Sequence, residues 1–448
     1  MIYKIIISAF IILSAYEPLF SQVDIKFEIK GLLKNSKVLL SWESGEYFHI
    51  VDSCWVQENG VLEFKRQDLF DQGMYSLRYT LSNNNSPILE AFILDDDQVF
   101  TMKGTANEIV ETSEFVGSNE NTIFLEYQKK LMSLKKLEGI EKLNEKFKEN
   151  YAAFKKKYSS SFTFKMLSFT ERPEIPSTIN NNIDRYHYYK NHYFDKIDPT
   201  FEPIAKSPFL HDFIVEYFDN LTEQTPDSII KACDFFLSKF EANKSVFRYT
   251  LSYLLNKYSE SRTICFDAIY VHLVQKYYAL GKAQWMYESN ESQELLKQMI
   301  AYAKKLEYSL CGKTAYNFKF TNNSGSNIYL SDINSTYTVI IFWSIDKSET
   351  FLNEIDILNK KSDILTKFGV STIEYCVSTD EQIKSAILSR LTFDQLIKTK
   401  NTDIKTIESI KDSYNLGVKP KIYVLDKDKK ILLKGISAES LVNYFEGL

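Results

Sequence analysis

The sequence predicts a multidomain fold: an antiparallel β-sandwich, then an all-α domain, then an α/β domain. Three observations lead there. Apolar residues alternate with period two in short runs from Val23 to about Ser118. They then recur at three- and four-residue steps, with interruptions, to about Tyr308. From Thr314 onward, buried-type strands alternate with amphipathic helical stretches. The expected boundaries are 1–21 for an export signal, 22–118 for the β-sandwich, 119–310 for the helical domain and 311–448 for the α/β domain.

A chain of 448 residues exceeds what one hydrophobic core ordinarily organises. With 44% hydrophobic and 25% charged residues, each domain can bury a core of its own. Glycine and proline are scarce, at 14 and 9, which argues against long disordered linkers. The net charge is −5 with both signs interspersed, so the one-signed basic face that phosphate backbones require is missing. Nucleic acid is excluded as an expected partner.

The first residues read as an export signal. Met1-Ile2-Tyr3-Lys4 supplies a basic start, and Ile5 to Leu13 is an apolar run. A more polar stretch follows and ends in Ser21, after which cleavage is expected. The apolar run is too short to span about 30 Å of hydrocarbon comfortably. A periplasmic or cell-envelope location is therefore expected, with no transmembrane span in the mature chain.

The β-rich part begins with Asp24 to Ile29, where apolar and polar residues alternate as on a half-buried strand. Strands are expected at Lys37 to Trp42, Tyr47 to Gln57, Val61 to Lys65, Met74 to Leu81, Ile88 to Leu94 and Val99 to Lys103. Asn59-Gly60 predicts a hairpin turn, because both residues tolerate positive φ. Asp95-Asp96-Asp97 lacks EF-hand spacing and reads as a solvated turn.

After Gly117-Ser118-Asn119, Phe124, Tyr127, Leu131, Leu134, Leu143, Phe147, Tyr151, Phe154 and Tyr158 draw an apolar stripe along a long helix, bent near Gly139. Tyr186 to Phe194 is dense in aromatics and carries His187 and His192. Five positions apart, these imidazoles share a helix face poorly, and aromatic packing is the expected role of the segment. No HExxH, phosphate-cradling glycine motif or clustered ligand set occurs, so neither metal nor cofactor is expected.

In the last part, Ala315 to Phe320 and Asn327 to Leu330 are short strand candidates. Thr336 to Trp343 is a buried strand, Asp346 to Phe368 a helix and Val370 to Val377 another strand. A mostly helical stretch leads to Tyr414; Lys421 to Leu425 and Ile431 to Ile436 then form a hairpin, and Ala438 to Phe445 a final helix. A βαβ unit followed by a hairpin and a helix predicts a thioredoxin-type sheet.

Ala315-Tyr316-Asn317-Phe318, Ile328 to Ile333 and Val339-Ile340-Ile341-Phe342-Trp343-Ser344 together resemble the start of TlpA/ResA-like thioredoxin-family proteins, which are exported bacterial thiol-disulfide proteins. Leu416 to Asp426, with Pro420 as the only proline after Pro226, resembles that family's segment around its cis-proline. The strand-rich start and the helical segment with Gly281-Lys282-Ala283-Gln284-Trp285 are similar to multidomain members of the group. The resemblance implies a Cys-x-x-Cys at the opening of the helix after Trp343. Here Lys347 stands in the first cysteine position and Thr350 in the second.

Disulfide exchange in such a fold requires a thiolate at the helix N-terminus, stabilised by unpaired N–H groups and the macrodipole. A second thiol one turn on then resolves the mixed disulfide. An ammonium and a hydroxyl supply neither. Cys54, Cys233, Cys265, Cys311 and Cys376 are odd in number, widely spaced and without a CxxC, so buried unpaired thiols are expected for most of them.

The resemblance further implies that Trp343, Ser344, Lys347, Thr350, Lys419 and Pro420 line the surface where an extended peptide would dock by strand addition. The alternative is that Trp343 belongs to the core and Pro420 only fixes a turn. The leading expectation is a redox-inactive binding or structural module, not an enzyme, with an extended peptide or envelope protein as partner. The competing expectation is a thiol-disulfide oxidoreductase acting through a lone cysteine, Cys376 or Cys311, or with a partner.

Overall fold

The computed structural model describes residues 22–45, 47–79, 88–134, 140–322, 324–391, 396–400, 404–417 and 420–448. The expected export signal, residues 1–21, and the expected helix bend at Gly139 lie outside them. The chain gathers into two compact units. One runs through Leu221 and includes Lys239–Phe247; the other comprises Thr222–Ser238 and Arg248–Leu448.

The first unit opens with strands β1 (Val23–Lys30), β2 (Lys37–Ser44), β3 (Tyr47–Trp55), β4 (Val61–Arg66), β5 (Gly73–Tyr79), β6 (Ile88–Leu94), β7 (Val99–Thr105) and β8 (Glu114–Val116). They form two four-stranded sheets, ordered β4-β1-β7-β8 and β3-β2-β5-β6. Alternation decides what is buried. Ile25, Phe27 and Ile29 of β1 meet Val38 and Leu40 of β2 and Leu77 of β5 in one core. There the Phe27 ring packs edge-on against Phe92, with centroids 5.2 Å apart.

Two expectations about this region are corrected. The pairing is not wholly antiparallel: β1 and β7 run parallel, from Asp24 opposite Val99 to Lys30 opposite Thr105. Periodicity reports which face of a strand is buried, not which distant strand it pairs with, so this could not be read locally. Asn59-Gly60 does form a tight turn, with Gly60 at φ +79° and the Asn59 side chain accepting from the Val61 N–H. Yet β3 and β4 belong to different sheets, so the turn passes the chain between sheets and does not close a hairpin.

Helices Asn119–Leu134 and Ile140–Tyr158 follow. The buried Asn121 side chain accepts from the Ile93 N–H and donates to the Ile93 carbonyl, tying the first helix to β6. Ile123 of the first helix packs with Phe154 of the second, and Tyr127, Tyr151 and Tyr158 of the predicted stripe lie against them. The single long helix expected there is therefore two helices packed on each other, which a stripe of apolar residues alone cannot distinguish. In the aromatic segment, Tyr193 is buried and stacks on Phe213 at 4.4 Å. His187 is exposed, and His192 pairs with Asp195 at 2.6 Å.

The second unit joins helical segments, including Asp267–Leu273 and Asn290–Glu307, to a mixed α/β region. β9 (Lys319–Thr321) and β10 (Asn327–Tyr329) form a small antiparallel pair. β11 (Tyr337–Trp343), β12 (Val370–Cys376), β13 (Leu396–Ile397), β14 (Lys421–Leu425) and β15 (Ile431–Ile436) form a five-stranded sheet ordered β13-β12-β11-β14-β15. β11 is parallel to β12 and antiparallel to β14. Helices Ser348–Lys360 and Ala438–Glu446 pack Phe351, Ile355, Leu441 and Phe445 on one face. Phe318, Ile407, Ile410 and Tyr414 cover the other. This is a thioredoxin-like arrangement of strands and helices. Among the described residues, no helix is long and apolar enough to cross a membrane.

Candidate functional site

β11 is apolar almost throughout because it lies at the centre of the sheet with both faces covered. Its last residue, Trp343, is 1% exposed and stacks on Phe351 of the following helix, with ring centroids 4.2 Å apart and planes nearly parallel at 5°. Beyond it the chain passes through Ser344 into a tight turn, Ile345–Lys347, with the Lys347 N–H donating to the Ser344 carbonyl at 3.0 Å. The turn is held to the segment just after β12 by the Ile345 N–H, which donates to the Ser378 hydroxyl at 3.1 Å. A hydrogen bond from Ser344 holds the exposed Asp346 carboxyl below its usual range.

Lys347 is the capping residue of helix Ser348–Lys360, and Thr350 lies in its first turn. Both are exposed. Phe342 pairs with Lys421, which places the half-buried Pro420 beside the Trp343 end of the sheet. Lys419 lies outside the described residues. Ser344, Lys347, Thr350 and Pro420 therefore gather at one end of the sheet. Trp343 does not line that surface: its indole fills the core, and the apolar stacking on Phe351 is what keeps it there.

No sulfur stands at the helix opening. Cys376, opposite Trp343 in the sheet register, is buried, and burial pushes its thiol up to about 11. A thiol so placed is mostly protonated at neutral pH and poorly accessible. Cys311 is not a lone thiol. It is bonded to Cys265, with Cα atoms 5.7 Å apart, across a sequence separation of 46. That corrects the expectation of unpaired cysteines for this pair. The two residues come together because the segment before helix Asp267–Leu273 docks on the end of the α/β region, a contact that spacing in the sequence cannot reveal. Cys54, Cys233 and Cys376 form no disulfide among the described residues.

One group beneath the site went unnoticed in the sequence. Glu374 of β12 is fully buried, and its Oε2 accepts from Trp343 Nε1 at 2.7 Å. Its Oε1 accepts from the Thr399 N–H at 2.6 Å. Lys384 Nζ, also buried, lies 3.8 Å from Glu374 and donates to the Thr399 carbonyl. Burial raises the Glu374 pKa, against the pull of Lys384 and the hydrogen bonds from Trp343 and Thr399. The available signal was a single carboxylate inside the otherwise uncharged run Thr372-Ile373-Glu374-Tyr375-Cys376-Val377.

Two family models match the chain. That of the AhpC/TSA family covers residues 311–434, and that of a domain of unknown function, DUF5106, covers residues 140–305. No functionally curated protein matches. Among solved structures, a thioredoxin-like protein from Bacteroides caccae is 18% identical and covers 62% of this chain and 97% of its own, with a TM-score of 0.43. A thiol:disulfide interchange protein from Bacteroides sp. is 20% identical over 32% of this chain and 91% of its own, with a TM-score of 0.28. A domain of a possible thiol-disulfide isomerase from Cytophaga hutchinsonii is 26% identical over 31% of this chain and 92% of its own, with a TM-score of 0.26.

Proposed function

We propose that the chain is an exported protein of the periplasm or cell envelope whose thioredoxin-like region binds an extended polypeptide without exchanging thiols at the helix opening. In this reading residues 1–21 are a cleaved signal. Residues 22–118 are a β-sandwich domain, 119–310 a helical domain and 311–448 the binding domain, a TlpA/ResA-like module with a degenerate motif. The observation that carries the reading is chemical: Lys347 caps the helix and Thr350 lies in its first turn, the positions where a thiolate and its resolving thiol would have to stand. Ser344, Lys347, Thr350, Lys419 and Pro420 would then contact the bound strand through backbone and polar groups. Insulin reduction by the purified protein with dithiothreitol as electron source tests it. The expected result is no turnover above the uncatalysed rate, and clear turnover overturns it.

A second reading is thiol-disulfide exchange through Cys311, now with Cys265 as its bonded neighbour. The AhpC/TSA match over residues 311–434 speaks for redox chemistry more strongly than for its loss. Both sulfurs belong to residues that are only half-buried. In that case a thiolate of a partner protein attacks one sulfur of the pair and forms a mixed disulfide. The other sulfur leaves as a thiolate and takes up a proton. Trapping with a Cys265→Ser variant distinguishes the readings: a mixed disulfide on Cys311 in envelope extract supports exchange, and an unmodified Cys311 supports binding alone.

A further inference from the structure

We propose that a cavity over the β14–β15 hairpin binds a small organic carboxylate. The cavity has a volume of about 240 Å³ and is walled by the helical segment on one side and the sheet on the other, within the second unit. It is smaller than the sites that hold drug-sized ligands, which begin at about 300 Å³.

Two lysines reach it from the sheet, and only one has a counter-charge. Lys434 pairs with the Asp267 carboxylate and donates to the Ser309 carbonyl at 2.7 Å. Lys421 donates to the Asn415 carbonyl at 2.6 Å and, among the described residues, pairs with no carboxylate. An ammonium has three donors, and a half-buried one with a single neutral partner is costly. The charged groups around it do not repair this. Lys434 and Lys305 repel it, Lys305 is itself paired with Asp412 at 3.1 Å, and Asp267 is engaged by Lys434. Burial, ahead of these charges, holds Lys421 below the usual lysine range. Arg262, exposed at the mouth, adds a second cation without an ionic partner among the described residues.

The walls decide what kind of anion fits. Tyr270 and Tyr302 meet edge-on at 5.9 Å, and Ile264 and Leu306 continue the apolar lining. An inorganic anion would leave these surfaces unfilled, whereas a carboxylate on an aromatic or aliphatic body satisfies the cation and the rings together. The carboxylate could be that of a free acid or the C-terminus of a peptide.

Calorimetric titration of the full chain with phenylacetate, and separately with acetyl-Gly-Gly-Phe, tests the site and distinguishes the two sources. Their amides, phenylacetamide and acetyl-Gly-Gly-Phe-NH2, serve as controls. Saturable binding of one or both acids, with no binding of the amides, is the expected result. Lys421→Met keeps the apolar stem and should weaken binding roughly tenfold or more, the loss of a charge-assisted hydrogen bond. Arg262→Ala, at an exposed position, should weaken it as well without affecting the fold. Absence of saturable binding by both acids at millimolar concentration overturns the proposal, as does equal binding of an amide. Unchanged affinity in a folded Lys421→Met variant also overturns it. Where that variant does not fold, unchanged affinity in Arg262→Ala does.

Discussion

The indole of Trp343 and the carboxylate of Glu374 are joined by a 2.7 Å hydrogen bond wholly inside the protein, directly beneath the opening of helix Ser348–Lys360. Trp343 ends β11 and Glu374 belongs to the adjacent β12, so this contact braces the two strands that present the site. Lys384 supplies the opposite charge and Thr399 the remaining donor. Removing one member of such a group leaves a buried charge without compensation.

Lys384→Met should therefore destabilise the α/β region by about 3–5 kcal/mol at neutral pH. The loss should shrink on acidification. Burial raises the Glu374 pKa in the folded protein, so the folded state holds that proton more tightly than the unfolded chain. Stability then falls as pH rises from the ordinary glutamate range through the raised value, and the variant should show the steeper fall. Urea unfolding followed by near-UV circular dichroism at several pH values checks both the size and the slope.

The Cys265–Cys311 bond closes a loop with a sequence separation of 46. On the chain-entropy relation, a loop of this length is worth about 4 kcal/mol. The double variant Cys265→Ser/Cys311→Ser should lower the thermal midpoint of the second unit's transition. Adding a reductant to the parent protein should reproduce that shift and leave the variant unchanged. Differential scanning calorimetry with and without tris(2-carboxyethyl)phosphine measures it.

Cys376 should resist alkylation. Its thiol is buried against the core and pushed up to about 11, so little thiolate exists at neutral pH and less can be reached. Iodoacetamide treatment followed by peptide mass spectrometry should find it unmodified in the native protein and fully modified in guanidinium. Rapid labelling under native conditions would restore it as a reactive centre.

Placing two cysteines at the helix opening should introduce thiol exchange there. In the double variant Lys347→Cys/Thr350→Cys, both positions are exposed and stand at the capping residue and in the first turn. The helix end then lowers the first thiol's pKa. Insulin reduction should rise from background to measurable turnover. Either single variant should remain inactive in turnover, since one thiol cannot release a mixed disulfide.

How much of this was legible follows from where the information resides. The alternation in Asp24 to Ile29 and the stripe from Phe124 to Tyr158 announce buried faces, because burial acts on each residue locally. The unbroken apolar run ending at Trp343 likewise identified the central strand, whereas the single helix expected over Asp346 to Phe368 is two, Ser348–Lys360 and Ser362–Lys367. Pairing is different. Nothing near Asp24 tells that Val99 lies beside it in parallel, or that Cys265 faces Cys311, since both relationships form across distant parts of the chain. Glu374 was visible as a lone acid in an uncharged strand, but its partner Lys384 sits on a helix whose polar pattern looks solvent-facing. The position of Trp343 was left undecided in the sequence, and its stacking on Phe351 assigns the indole to the core.

The bond between Cys265 and Cys311 also governs how a sample should be made. Material produced in a reducing cytosol starts with five titratable sulfhydryls, whereas the oxidised form carries only those of Cys54, Cys233 and Cys376. Ellman's reagent under denaturing conditions distinguishes the two preparations in a cuvette. Secretion into an oxidising compartment, or controlled air oxidation before purification, is then the route to homogeneous protein.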